Sequence, residues 1–251
     1  MRRTATDGSA GWKSRKEYFN MRSSQTQKLV QMVQLAILVA LVIVLQLVGS
    51  FIHIGPTSIS LVLIPIALGG MIFGPVVGGF LGLIFGIMTL VAGITGTDGF
   101  TYTLFSIQPM ATTVICLGKA TLAGLCGGLV FKALKKHNRW AATFCAAAIV
   151  PIVNTGLFIL GGLTLVKDTL NASFVAEGTT LVYFLFIVCA GVNFLGEFGF
   201  NMILSPALYR LSLILTKKTD RPSEEPAEED ETTEQPVSEE PAEEEKNQNE
   251  E

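Results

Sequence analysis

Charge is scarce in most of this chain. Of its 251 residues, 16% are Asp, Glu, Lys or Arg, against about 25% in soluble globular domains. Seventeen of those charged residues crowd into positions 219–251. Histidine and tryptophan occur twice each, and the four cysteines, Cys116, Cys126, Cys145 and Cys189, stand singly in apolar runs. With no CxxC pair and no histidine at ligand spacing, neither a disulfide framework nor a metal site is expected. The phosphate-cradling GxxxxGK[ST] loop is missing too: Gly118-Lys119 continues into Ala120 and has no upstream glycine partner. Energised work would need an ATPase on another chain. No nucleophile–base constellation is present, so no catalytic residues and no cofactor are expected, and the chain does not read as an enzyme.

What is present is apolarity: 49% hydrophobic residues and a mean hydropathy of +0.49. The net charge of −3 averages two unlike parts. Residues 1–218 hold 16 basic and 6 acidic residues, or +10; residues 219–251 hold 2 and 15, or −13. The tail repeats SEEPAEE at 223–229 and 238–244 and has no aromatic residue. It is expected to be a disordered acidic cytoplasmic tail, because it cannot bury enough apolar surface to fold.

A membrane helix needs roughly 20 apolar residues, and positions 28–216 have room for about six. The apolar runs lie at 29–52, 58–73, 76–94, 105–134, 140–166 and 181–215, with Gly74-Pro75 separating the second from the third. Lys and Arg cluster before the first run, between the fourth and fifth (Lys132, Lys135, Lys136, Arg139) and after the sixth, whereas the alternate loops hold only Lys167. Cytoplasmic loops carry the Lys/Arg excess. The expectation is therefore an all-α integral membrane protein, a six-helix bundle with both termini in the cytoplasm. Residues 1–27 form a basic cytoplasmic leader, 28–218 the membrane domain and 219–251 the tail. Positive-inside anchoring accounts for the basic residues without nucleic acid.

Small residues mark close helix contacts in lipid, where apolar side chains gain little by leaving one apolar solvent for another. Gly74, Gly78, Gly82 and Gly86 recur every fourth residue, which reads as packing within the bundle. Ala36 and Ala40 form an AxxxA in the first run; internal packing and docking on another membrane subunit both fit it.

Ionisable groups inside spans are costly and usually face a cavity or a partner. Two stand out, Lys119 and Glu197. Gln108, Thr112 and Lys119 fall within about 40° of one another on a helix, and Asn193, Glu197 and Asn201 form an i, i+4, i+8 stripe. Asn154 and Thr155 follow Pro151 in the fifth run. Three polar stripes point to a shared pocket, with Gln108, Thr112, Asn154, Thr155, Asn193, Glu197 and Lys119 as candidate substrate contacts. A structural Lys119–Glu197 ion pair is the competing reading of those two. His53 and Asp98 fall in loops on the outer side, either solvated or covering the pocket.

Together, the six short spans, the AxxxA and the stretch LIPIALGGMIFGPVVGGFLGLIFGIM resemble the substrate-binding S component of an energy-coupling factor (ECF) vitamin transporter. The pattern is nearest the riboflavin/pantothenate/folate type and covers about residues 28–218. The resemblance implies a vitamin-binding subunit in the bacterial cell membrane, partnered by a transmembrane T component and two cytoplasmic ATPases, with Ala36 and Ala40 contacting the T component. It also implies a site near the outer face, walled by spans four to six, and a protein that topples in the membrane to release its substrate. Pantothenate and riboflavin are the candidate vitamins. The alternative is a stand-alone secondary transporter or channel gated by Lys119 and Glu197, for which an inverted repeat with paired broken helices would be the sequence sign.

Overall fold

The computed structural model describes the backbone of residues 8–50, 53–54, 57–58 and 61–220. Side chains are described for 27–50, 61–191 and 193–215. The expected disordered tail lies outside the described residues except for Thr219 and Asp220, which close the last helix. His53 belongs to a two-residue β-pair, His53–Ile54 with Thr57–Ser58; its side chain is outside the described residues.

The other described elements are helical. The first helix, α1, runs Gly8–Gly49 and so takes in most of the basic leader. It is followed by α2 (Leu63–Phe73), α3 (Pro75–Ile94), α4 (Gly99–Ile107), α5 (Pro109–Leu134), α6 (Arg139–Thr164) and α7 (Lys167–Phe174). A short α8 (Leu181–Tyr183) continues into a π-helical turn, Phe184–Cys189, before α9 (Gly191–Asp220).

Among the described residues, five apolar stretches are long enough to cross a membrane: Gln27–Gly49, Pro75–Ile94, Pro109–Leu134, Arg139–Thr164 and Leu181–Leu215. The second apolar run departs from expectation. It was expected to be helical from position 58, but α2 has only 11 residues, about 16 Å of rise against a hydrocarbon core of about 30 Å. Its composition explains where it goes instead. LIPIALGGMIF is apolar on every side, the signature of a helix enclosed by protein. Leu63 and every residue from Pro65 to Met71 are buried, with α1, α3, α5, α6 and α9 packed around them.

The fourth run is also broken. Pro109 has no N–H to continue the ladder and disfavours helical backbone at the residue before it. Gln108 is accordingly out of the helix (φ −134°, ψ 74°), ending α4 and opening α5.

The closest packing in the bundle is between α3 and α5, and the glycine ladder makes it possible. A methyl built on Gly78 would fall 2.5 Å from the Gly124 carbonyl oxygen, and one on Gly86 2.7 Å from that of Cys116. One on Gly82 would collide with the Ala120 carbonyl. The partners Cys116, Ala120 and Gly124 recur every fourth residue as well, so two small-residue seams face each other. Gly74 differs from the other three: nothing lies within 4 Å of its would-be methyl, and its φ of 99° is what the α2–α3 turn requires.

Candidate functional site

Two apolar clusters divide the molecule. The larger is centred on α2, with Leu63, Ile66, Leu81, Ala120, Ala146 and Val150 among its fully buried members. The smaller joins Phe100 and Leu104 of α4 to Val166, Leu170, Phe184 and Leu185. Rings bind that cluster together: Phe174 lies 4.9 Å from Phe100 and 6.0 Å from Phe184, centroid to centroid. It forms a roof made by α4, α7 and the π turn. The amphipathic α7 lies between the fifth and sixth apolar runs, where the hydropathy pattern predicts only a loop.

A polar cavity of ≈ 80 Å³ sits beneath the roof. Five of the seven candidate contacts line it: Lys119 from α5, Asn154 and Thr155 from α6, and Asn193 and Glu197 from α9. The other two do not. Thr112 donates to the Gln108 carbonyl oxygen at 2.9 Å and borders an adjacent space of ≈ 20 Å³, which Lys119 and Phe158 also touch. Gln108 borders neither cavity. The 40° clustering that grouped Gln108 with Lys119 assumed one continuous helix, and the break at Pro109 removes that premise.

Lys119 is brought to the same cavity as Glu197, and its Nζ stands over the Phe158 ring, 5.1 Å from the centroid. A cation over a ring face is attracted by the aromatic quadrupole, which fixes the ammonium without consuming its hydrogen-bond donors. Asn154 is 5% exposed, and its Oδ1 is a buried acceptor with no protein donor. A buried carbonyl oxygen left in that state costs about 1–3 kcal/mol, so Asn154 is poised for a donor supplied from the cavity.

Four further wall residues come from outside the three stripes. Gln46 of α1 and Thr89 of α3 are buried polar residues. Asp98 and Thr101 come from the start of α4. Asp98 is a half-buried helix cap rather than a solvated loop residue: its carboxylate accepts from Phe100 N at 3.2 Å, Thr101 N at 3.4 Å and Thr101 Oγ1 at 2.7 Å. Its charge is thereby committed to the start of α4. The π turn adds Cys189 and Ala190 to the wall; the Ala190 N–H reaches back five residues to Leu185 O at 2.9 Å. Such wide turns interrupt the regular ladder where a site needs it.

The polar stripe of α9 runs on below the cavity. Asn201 donates to the Glu197 carbonyl oxygen at 2.9 Å, and Ser205 to that of Asn201 at 2.8 Å. Asn201 is buried but is not part of the cavity wall. Among the described residues no group of three His, Cys, Asp or Glu side chains could hold a metal ion.

Ala36 and Ala40 are both exposed on α1. They share that surface with Met32 (67% exposed), Val33 (58%), Ile37 (61%) and Val44 (54%). The AxxxA therefore does not pack within the bundle, which removes one of its two readings.

No curated protein matches the chain. A family model described as "ECF transporter, substrate-specific component" matches residues 30–209, a span that includes every wall residue of the cavity. The apolar helices, the polar cavity and this match agree, and the chain belongs to the family of ECF transporter substrate-specific components.

Proposed function

We propose that the protein captures a water-soluble vitamin from outside the bacterial cell in the cavity between α5, α6 and α9, and delivers it inward with a T component and two ATPase subunits. The observation that carries this reading is the unsatisfied Asn154 Oδ1 in a wall that also holds Lys119 and Glu197. A polar cavity with convergent donors and acceptors inside a membrane bundle is suited to a small polar ligand.

Orientation follows from charge. Lys28, Lys132, Lys135, Lys136, Arg139, Arg210, Lys217 and Lys218 fall at the end of the bundle shared by the α2–α3 turn and the end of α5; only Lys167 is at the roof end. Both termini are then cytoplasmic and the roof faces outward. In this reading α2, enclosed by the longer helices, is the second of six membrane segments.

Of the two vitamins considered, pantothenate fits better. It carries a carboxylate for Lys119, and its hydroxyl and amide protons can satisfy Asn154 Oδ1. Riboflavin carries no anionic group and is larger. The ≈ 80 Å³ cavity is already small beside the roughly 300–1,000 Å³ of most ligand sites, so even the smaller vitamin requires the cavity to widen. Mass spectrometry of small molecules that co-purify with the protein tests this. Pantothenate is expected. Riboflavin would replace the vitamin but keep the function; failure of every water-soluble vitamin to bind at micromolar concentration would overturn the reading.

The exposed seam on α1 is the surface offered to the T component. Replacing Ala36 and Ala40 together by Leu should lower co-purification with the T component by about tenfold or more, because bulky residues hold the backbones apart. Vitamin binding by the isolated subunit should be unchanged, since neither alanine lines the cavity. Normal assembly of the double variant would remove the seam from the interface.

A further inference from the structure

At the end of the bundle away from the polar cavity, the α2–α3 turn meets the last turn of α5. A separate cavity of ≈ 310 Å³ opens there, walled by Met71, Phe73, Pro75, Phe131, Lys132 and Lys135, with glycines of α2, the turn and α5 between them. None of its described lining residues is acidic. Both lysines are exposed, whereas Phe131 is buried and Phe73 half-buried, so the cavity has a cationic mouth and an apolar floor.

Its depth in the membrane follows from helix length. The 26 residues of α5 rise about 39 Å, some 9 Å more than the hydrocarbon core. The surplus, with the charges of Lys132 in the final turn and Lys135 just after it, puts this end of the helix among the lipid headgroups. The turn at Gly74 (φ 99°) starts α3 at the cavity. The first amide of α3 to bond back is that of Gly78, to the Gly74 carbonyl oxygen at 3.1 Å. The N–H groups of the turn before it have no intrahelical acceptor, and the positive end of α3 adds to the two ammonium charges. Beside the cavity, Val76 (79% exposed) and Leu134 (39%) present apolar surface to the bilayer.

We propose that this cavity seats the phosphate headgroup of an anionic membrane lipid. Lys132 and Lys135 hold the phosphate, and Phe73, Met71 and Phe131 pack against the glycerol and the first methylenes of the chains. Basic pockets between membrane helices on the cytoplasmic side select anionic headgroups in this way. The apolar floor and the flanking Val76 and Leu134 favour a lipid over free phosphate, which has no use for them. The proposal depends on the chain spanning a membrane and not on which vitamin occupies the other cavity.

The test uses the full chain in detergent micelles containing equimolar phosphatidylglycerol and phosphatidylcholine, with retained lipids counted by native mass spectrometry. The wild-type protein is expected to keep phosphatidylglycerol in preference to phosphatidylcholine. The Lys132→Gln/Lys135→Gln double variant should lose that retention by about fivefold or more. Lys136→Gln, an exposed neighbour that does not line the cavity, should behave as wild type. Melting in phosphatidylcholine alone should be the same for all three. The proposal is overturned if the wild-type protein shows no preference. It is equally overturned if the double variant keeps its lipid, if Lys136→Gln loses as much, or if inorganic phosphate at the same concentration raises the melting temperature as far as phosphatidylglycerol does.

Discussion

Replacing Gly82 by Leu is expected to abolish the folded bundle. A single methyl at this position already meets backbone rather than side chain: the Ala120 carbonyl oxygen and carbon and, at 3.1 Å, the Thr121 Cα. A side chain in the way can change rotamer, but a helix backbone can only move away as a body. Moving α5 off α3 would open the contacts at Gly78–Gly124 and Gly86–Cys116 together. Overpacking a well-packed core costs about 1–3 kcal/mol, and Gly82→Ala should fall in that range. Leu adds three further carbons where no space exists, so the yield of monodisperse protein from detergent should drop by about tenfold or more. The control is Gly118→Ala, on α5 itself, where nothing lies within 4 Å of the new methyl. That change removes a mid-helix glycine and should hold or raise the melting temperature, by roughly 0.5–1 kcal/mol of stability. A Gly82→Leu protein with wild-type yield and melting temperature would show that the ladder is not what joins α3 to α5.

The ladder illustrates what can be read from one dimension. Four-residue spacing of small residues is visible without coordinates, and three of its four members do what the spacing implies. Its partner seam on α5, Cys116, Ala120 and Gly124, has the same spacing, but it mixes three residue types and lies beside Lys119, which drew attention to charge instead. Gly74 belongs to the pattern by number only; the Gly74-Pro75 pair already signalled a turn. The helices α1, α3, α6 and α9 follow from lengths of apolar sequence, because the bilayer sets a minimum. The enclosed α2 does not follow, since hydropathy alone cannot distinguish a helix surrounded by lipid from one surrounded by protein.

Five of the seven candidate contacts, all on α5, α6 and α9, meet at one cavity, but the polar signal extends beyond those three helices. Charged and amide side chains in the last three spans were picked out, and most of them meet. Gln46 and Thr89 carry the same signal, polar groups inside apolar runs, but neither belongs to a polar stripe like those of the last three spans. Only the packing of α1 and α3 against the others brings them to the wall. Asp98 had a local sign, an acid followed by glycine and, three residues on, a threonine that caps with it. The π turn had none: Phe184–Cys189 reads as ordinary apolar helix, and its wide turn is a product of tertiary packing. Gln108 shows the opposite failure, in which helical angles were carried through a proline.

Asn154→Leu is expected to cost the most binding of any single change in the cavity. The substitution is close in volume, places no charge in the membrane and sits on α6 away from the exposed seam on α1. It should therefore leave folding and assembly with the T component intact. What it removes is a wall acceptor that has no protein donor, Asn154 Oδ1. A vitamin hydroxyl or amide proton that has left water must find that oxygen or go unpaired, and an unpaired buried donor costs about 1–3 kcal/mol. The dissociation constant should rise by roughly 5- to 150-fold, measured by isothermal titration of the purified subunit. Without ligand the sign reverses, because the variant loses an unsatisfied buried carbonyl; the empty protein should melt at the wild-type temperature or above it. Stability and affinity moving in opposite directions separates a ligand contact from a structural residue, whose loss would lower both. Gln108→Leu is the matched control: it also removes a buried amide oxygen without a partner, but from a position outside the cavity, and its affinity should stay within about twofold of wild type. Equal losses in the two variants would mean that the vitamin sits higher, against the α4–α5 break, and that the cavity beneath Phe100 is not the site.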